Sequence, residues 1–386
     1  MPSQTSLFST LTQYLPMGHF DRAVKHYKAD KGVRSLTARS HLGAMIIGQL
    51  AGAQGLRDVE AAAAAGAGEL RRLRMLPAAR STLADANASR APEVFEALIA
   101  PLYDRLSPTQ QRKAQAEVRI LDSTRVLPGA GAGDWARFAA AQVAAKVHVV
   151  YDPDREAPLF FEVTSGNVND ISVAKHKLSI MAGASYVFDL GYYDFGFWAE
   201  LDAQGCRFVT RVKKNTVLTA LEERPVTPGG AIVSDRIVTL PNRLAASRAN
   251  PFAKPGRAII VTLETGKRIT LFSNDLDSPA QEIADLYKAR WKIELFFRWL
   301  KQNLRIRHFL GTSRNAVRIQ IAVAIIVYLV LRFLHKASNT AKSFTTFARN
   351  FGNCLFKATS LQRHIERLET VLRRPIPHSN QLTFEL

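Results

Sequence analysis

Three carboxylates and a row of cations are the residues whose types and spacing could carry chemistry in this chain. Asp122 closes an apolar stretch in RILDST, and Asp189 closes another in YVFDLGYYD. Glu294 lies within YKARWKIELFFRWLKQNLR, residues 287–305. An acid at the end of a core strand projects into the crevice at a sheet edge, where open α/β sheets place their ligands. Each aspartate taken alone also fits a turn, with Asp122 bonding back to the main chain before Ser123 and Thr124. Two such strands followed by an acidic helix favour convergence. Three convergent carboxylates repel one another unless cations neutralise them. Oxygen ligands without Cys or His suit Mg²⁺ or Mn²⁺ rather than Zn²⁺. Two such ions about 3.5–4 Å apart can activate a water or a 3′-hydroxyl and stabilise the leaving oxygen of a phosphodiester displacement.

The glutamate stands among positive charges. At about 100° per residue, Tyr287, Arg290, Glu294, Arg298, Lys301 and Arg305 fall in one stripe of a helix. Leu286, Ile293, Phe297, Leu300 and Leu304 form an apolar band on one flank, and Trp291, Leu295 and Trp299 lie on the other. A solvated face with the pairs Arg290–Glu294 and Glu294–Arg298 is the plain alternative. Against it, residues 287–318 hold nine Lys or Arg and one acid. A stripe built to hold phosphates, with one acid for a metal, accounts for that imbalance better.

These residues need a sheet and helices to position them. Residues 1–112 read as helical, with apolar SHLGAMIIGQL, an Ala-rich segment and a boundary at Ser107-Pro108. From Val118 the pattern becomes strand, strand, strand, helix, strand, helix, strand, a mixed sheet with helices packed on it. The strands are expected at 118–121, 146–151, 159–164, 186–188 and 207–212, with a Gly/Ala-rich loop at 128–133. Residues 216–274 are β-rich and read as an insertion. One long helix is expected over 279–304, with Pro279 near its first turn, and a buried helix over 316–334. The expected domains are a helical 1–112, an α/β unit over 113–335 and a helical tail over 336–386.

Composition narrows the partner. The 386 residues carry 52 Lys and Arg against 33 Asp and Glu, a net charge of +19, and 47% are hydrophobic. That is a globular chain able to bury a core, with a surplus that calls for a polyanion. The longest apolar run, Ile321–Leu331, is short of the roughly 20 residues of a membrane span, and the N-terminus lacks the pattern of a secretory signal. No membrane partner is expected. Two cysteines make no disulfide framework, and no Cys/His cluster has zinc spacing.

With these residues in view, the chain resembles a known family. Asp122, Asp189 and Glu294 look like the DDE triad of ribonuclease-H-like transposases. The spacing Tyr287-x2-Arg290-x3-Glu294-x6-Lys301 matches the Y-R-E-K signature of the insertion-sequence-four family, whose members share a β-rich insertion before the glutamate. The surroundings of Asp189 and the phrase FVTRVKKNT (208–216) are also similar, as is the N-terminal region with SHLGAMIIGQLAG and STLADANASR. The resemblance spans about residues 15–330. It implies cut-and-paste transposition: binding of double-stranded DNA at terminal inverted repeats, pairing of two ends in a homodimeric complex, release of a 3′-hydroxyl, and joining to target DNA. It also implies that Tyr287, Arg290 and Lys301 contact phosphates near the cleaved bond, and that an insertion aromatic stacks on a flipped base, with Phe252 and Phe272 both open. A bacterial cytoplasmic protein working at the nucleoid follows.

The expected reading is a Mg²⁺- or Mn²⁺-dependent enzyme with two ions held by Asp122, Asp189 and Glu294. Tyr287, Arg290, Arg298 and Lys301 would clamp the DNA backbone, and residues 1–112 would recognise the transposon end. Lys213 and Lys214 add two cations after a strand, as DNA contacts or as a basic turn. His148 reads as a satisfied strand residue, Asp170 as a helix cap and Cys206 as a buried apolar residue. The rivals are a non-catalytic DNA-binding derivative and a metal-dependent nuclease that cuts without joining; a membrane-surface protein is more distant.

Overall fold

A computed structural model describes residues 6–106, 117–139, 142–245, 248–303 and 309–356. The Ser107-Pro108 boundary, Leu304, Arg305 and the tail beyond Phe356 lie outside the described residues.

The N-terminal region is helical: α1 (Leu7–Gln13), α2 (Met17–His26), α3 (Ala38–Ala51), α4 (Leu56–Ala65), α5 (Ala67–Arg72), α6 (Arg80–Ser89), α7 (Glu93–Glu96) and α8 (Ile99–Asp104). Thr37 caps α3 by accepting from the Ser40 amide, and Gly52 ends it in the left-handed region at φ 67°. Eleven of the 14 residues of α3 are buried, so the helix is enclosed on nearly every side.

The α/β part then follows the expected order. Its elements are β1 (Val118–Val126), the short pair β2 (Arg137–Ala139) and β3 (Gln142–Val143), β4 (Ala145–Asp152), β5 (Ala157–Ser165), α9 (Asp170–Lys177), β6 (Ser185–Val187), α10 (Phe195–Ala203) and β7 (Arg207–Arg211). Strands β1, β4 and β5 pair antiparallel, while β1, β6 and β7 run parallel. The order β5-β4-β1-β6-β7 is that of a ribonuclease-H-like sheet. The expected α/β class, with a mixed sheet flanked by helices and a helical N-terminal region, is borne out.

The β-rich insertion is not a separate layer. Its strands are β8 (Thr219–Arg224), β9 (Ile232–Thr239), the small hairpin β10 (Arg243–Ala245) and β11 (Arg248–Ala249), β12 (Gly256–Thr262) and β13 (Arg268–Ser273). Strand β13 pairs antiparallel with β7, so the sheet continues through β13-β12-β9-β8 to nine strands among the described residues. Strand β8 has no apolar alternation (TALEER), which hides it from pattern reading; it is an exposed edge.

The single helix expected over 279–304 is two, α11 (Ala280–Lys288) and α12 (Trp291–Asn303). Between them the main chain tightens, with Arg290 bonding Tyr287 and Ile293 bonding Arg290 across three residues. Helix α13 (Arg314–Ala337) follows, and α14 (Phe344–Asn353) after it. At 24 residues and mean hydropathy 2.2, α13 is long and apolar enough for a membrane span, but 89% of its apolar window is buried inside this protein. It is a core helix. Its side chains share one hydrophobic cluster with α1, α3, α8, β1, β4 and α12.

A buried ion pair ties the insertion to the start of α11. The Arg257 guanidinium donates to Asp235 at 2.8 and 2.6 Å, both side chains are about 4% exposed or less, and it also donates to the Ser278 carbonyl. Removing one partner strands the other charge without water. Asp235→Ala is expected to cost about 3–5 kcal/mol in chemical denaturation, and adding Arg257→Met to recover most of it. A loss below about 1 kcal/mol would show that the pair does not anchor these strands.

Candidate active site

Sheet register brings the two aspartates together. Ile120 of β1 is level with Val187 of β6 in the parallel pair, so Asp122 and Asp189 stand two residues further along, side by side. Strand β6 stops at Val187 while β1 runs on against β4, with Asp122 opposite Val149. Asp122 is therefore mid-strand and not at a strand end as expected. Residues 122–126 continue the strand because β4 supplies hydrogen bonds on one side, while the end of β6 opens a crevice on the other. The local bond also forms, with Ser123 N–H donating to Asp122 Oδ1 at 2.8 Å.

Asp189 caps the tight turn Leu190–Tyr192, accepting from the Gly191 amide at 2.8 Å. A Cβ on Gly191 would stand 2.9 Å from Asp170 Oδ2 and 3.0 Å from Asp189 Oδ1, so a larger residue here would push on both carboxylates.

Helix α12 brings the third acid. Ile293, Phe296, Phe297 and Leu300 are buried in the main core and set the helix rotation. The opposite face then turns to the crevice. A cavity of about 450 Å³ is lined by Asp122, Asp189 and Glu294 together with Arg290, Arg298, Lys301, Thr124 and Phe297. Of the second apolar flank, Trp299 is buried, but Trp291 and Leu295 are 50% and 44% exposed.

The cations have distinct partners. The Arg290 guanidinium bridges two of the acids, reaching Asp122 Oδ2 at 3.2 Å and Glu294 Oε1 at 2.5 Å. Lys301 Nζ donates to Thr124 Oγ1 at 2.6 Å. Arg298 is exposed and lies over the Trp291 ring at 5.8 Å. Tyr287 is half-buried with Arg290 over its ring at 5.8 Å, and burial pushes its hydroxyl pKa up. Lys213 and Lys214 are exposed and do not line the cavity; Lys213 sits over the Tyr193 ring at 4.6 Å.

Asp122 bears the electrostatic load. Burial, with Asp189 and Glu294 nearby, raises its pKa to about 7 despite Arg290 and the Ser123 amide. A carboxylate so placed gains from a second cation. Hard oxygen donors and a polar cavity fit Mg²⁺ or Mn²⁺ in type and place. Yet among the described residues no group of three acidic, His or Cys side chains stands ready to hold a metal ion. The Arg290 fork lies between Asp122 and Glu294, in contact with both.

Sequence reasoning missed a supporting network. Asp170 is not the cap of α9, a place taken by Asn169. Its carboxylate accepts from Ser123 Oγ at 2.8 Å and from Lys146 Nζ at 3.0 Å, with His148 Nδ1 at 3.4 Å. Burial lowers the His148 pKa to about 4, so the ring is neutral, and its Nε2 pairs with Thr164 at 2.9 Å. The alternation of Lys146 and His148 along a strand beside Asp122 was the available signal. Phe252 and Phe272 are both buried, 2% and 0% exposed, packed with Trp198 and Phe208 in a second core. Neither can stack on a base. Cys206 is buried as expected.

Known proteins match over the same region. The model of the transposase DDE domain family matches residues 113–330, and a domain of unknown function matches residues 3–73. A protein of Sinorhizobium fredii described as a transposase is 37% identical over 309 residues, covering 78% of this chain and 85% of that one. A protein of Geobacillus stearothermophilus described as the transposase for insertion sequence element IS5377 is 28% identical over 267 residues, covering 67% of this chain and 69% of that one. Among solved structures, a piggyBac transposase synaptic complex with hairpin DNA aligns at TM-score 0.44 and 10% identity over 98% of this chain and 86% of that one, too distant a likeness to add to the sheet order.

The raised pKa of Asp122 makes a prediction about stability. Between the unfolded value near 3.8 and the folded value of about 7, the folded protein holds a proton that the unfolded chain has released. Stability therefore falls as pH rises through that window, by at most roughly 4 kcal/mol. In metal-free buffer Asp122→Asn is expected to raise the melting temperature at pH 8, with the gain fading toward pH 4. A difference from native protein that does not change with pH would remove the electrostatic cost from Asp122.

Proposed function

The chain belongs to the transposase DDE domain family and is a DNA transposase, and we propose that Asp122, Asp189 and Glu294 are its catalytic carboxylates, holding divalent cations for cleavage at transposon ends and strand transfer. The observation that carries the reading is that Asp122 on β1 and Asp189, two residues past the end of the parallel strand β6, line one cation-lined cavity together with Glu294. Bound Mg²⁺ or Mn²⁺ would supply a Lewis acid that polarises the scissile phosphate and activates the attacking oxygen. The chain's own groups do the rest. Arg298 and Lys301 would hold backbone phosphates from the helix side, and Tyr287 would set the Arg290 guanidinium beneath them. Asp170, through Ser123, would keep the main chain at Asp122 in position.

The Y-R-E-K spacing supports membership of the insertion-sequence-four family and, with it, cut-and-paste transposition by a homodimer that pairs two inverted-repeat ends. Residues 1–112 would form the end-binding domain and 113–335 the catalytic domain. The basic residues of α5, Arg71 and Arg72, lie exposed on that N-terminal region; Arg72 pairs with Glu69, and Arg71 would be available for phosphate contacts. Lys213 and Lys214, exposed on the loop after β7, would meet DNA outside the cavity.

Asp122→Ala, Asp189→Ala and Glu294→Ala are each expected to abolish Mg²⁺-dependent nicking of a duplex bearing the element's end, while gel-shift binding of that duplex stays within about threefold. Cleavage retained by any one variant takes that residue out of the triad. Products that are only hydrolysed, with no joined target DNA, would identify a nuclease instead. Lys301→Ala should weaken DNA binding and reduce the slope of log K against log salt by about one. An unchanged slope would return Lys301 to a role confined to its Thr124 bond.

A further inference from the structure

We propose that Arg290 is a latch that keeps cations out of the carboxylate site until DNA takes its guanidinium away. The inference rests on the reading of Asp122, Asp189 and Glu294 as metal ligands. Arg290 occupies the gap between Asp122 Oδ2, at 3.2 Å, and Glu294 Oε1, at 2.5 Å. Asp122 and Glu294 are two of the three residues that would hold a divalent ion. A planar fork donating to both carboxylates and an ion bound to both cannot share that space.

Three features make the contact an arrangement of the fold and not a chance surface pairing. The Asp122, Glu294 and Arg290 side chains are 16%, 31% and 18% exposed, so the bridge is largely withdrawn from water. The main chain breaks between α11 and α12 at this residue, and the Arg290 side chain reaches both across to β1 at Asp122 and along α12 to Glu294. Arg290 also lies over the Tyr287 ring at 5.8 Å, a cation–π contact that favours this position.

A phosphate is a partner suited to release this fork, because it offers the two-oxygen geometry and the single negative charge of a carboxylate. A DNA backbone entering the cavity, which Arg298 and Lys301 also line, would come within reach of Arg290. Arg290 would then turn from carboxylates to phosphate, and the freed oxygens would become ligands. DNA and cation thus favour each other's binding, and the coupling is reciprocal. Free protein in a magnesium-containing cell would carry an unloaded site, so it would not nick DNA that fails to seat in the cavity.

The test is Mn²⁺ binding, read from loss of the free-ion electron paramagnetic resonance signal. Measurements use the full chain with and without a short duplex carrying the sequence at the gene's flanking ends. Ion bound by Asp122→Ala protein with the same duplex is subtracted as belonging to DNA or to other surfaces. Native protein is expected to bind Mn²⁺ at this site about tenfold more tightly with the duplex than without it. Arg290→Lys keeps the charge but lacks the planar fork that spans the two acids, and should bind Mn²⁺ without DNA about as tightly as native protein does with it. Asp122-dependent binding that is equal in native and Arg290→Lys protein overturns the latch and leaves the metal site standing. A native affinity unmoved by the duplex overturns it as well. Mn²⁺ binding by Arg290→Lys that survives added Asp122→Ala shows the ion is elsewhere, and overturns the carboxylate site together with the latch.

Discussion

Burial of Asp122 in a crevice that it shares with Asp189 and Glu294 sets the terms for the rest of the molecule. Carboxylates in such a place stay ionised together only where cations are supplied. In this structure the nearest cation is Arg290, and Asp122 still feels burial strongly enough that its pKa rises to about 7. The site is thus held at an energetic cost that the surrounding fold must carry. Active sites commonly draw on scaffold stability in this way.

Much of the architecture serves that demand. Parallel pairing of β1 with β6 is what sets two acids level, and it needs the crossover through β4, β5 and α9 to return β6 in the same direction. The Asp170 network stiffens the β1 side, while Gly191 lets the Asp189 turn close against it. The third acid comes from a helix whose rotation is set by Ile293, Phe296, Phe297 and Leu300. The insertion contributes indirectly. By extending the sheet through β13 and clamping Ser278 with Arg257, it fixes where α11 starts and hence where Arg290 arrives.

The order of strands and helices from Val118 to Arg211 was legible because each core strand is a short apolar run bounded by turn residues. The three acids were legible by type and by the strands before them. What escaped depends on pairing that local pattern cannot express. Strand β1 runs past Asp122 because β4 lies beside it, and β8 is a strand because β9 pairs with it. The break at Arg290 has no proline or glycine to announce it, since KARWK reads as continuous helix. Phe252 and Phe272 looked available because the resemblance called for an insertion aromatic and pattern alone does not say which way a ring faces; with the insertion's strands joined to the sheet, both rings fall into the core around Trp198.

Charge shows the same limit most clearly. Nine cations against one acid between residues 287 and 318 suggested a long phosphate-binding stripe. The structure sends several of them to acids distant in the chain: Arg318 to Glu93 and Glu96, Arg314 to Glu162, with Lys292 donating to the Pro153 carbonyl. Arg318, from the core helix, therefore fastens the N-terminal helices to the catalytic unit, and the two regions share one hydrophobic cluster. Only Arg290, Arg298 and Lys301 line the cavity itself among the described residues. A local surplus of charge is thus a sound guide to a polyanionic partner and a poor guide to its footprint. The surplus divides between holding the protein's own acids in place and meeting those of DNA, and Arg290 stands where the two uses meet.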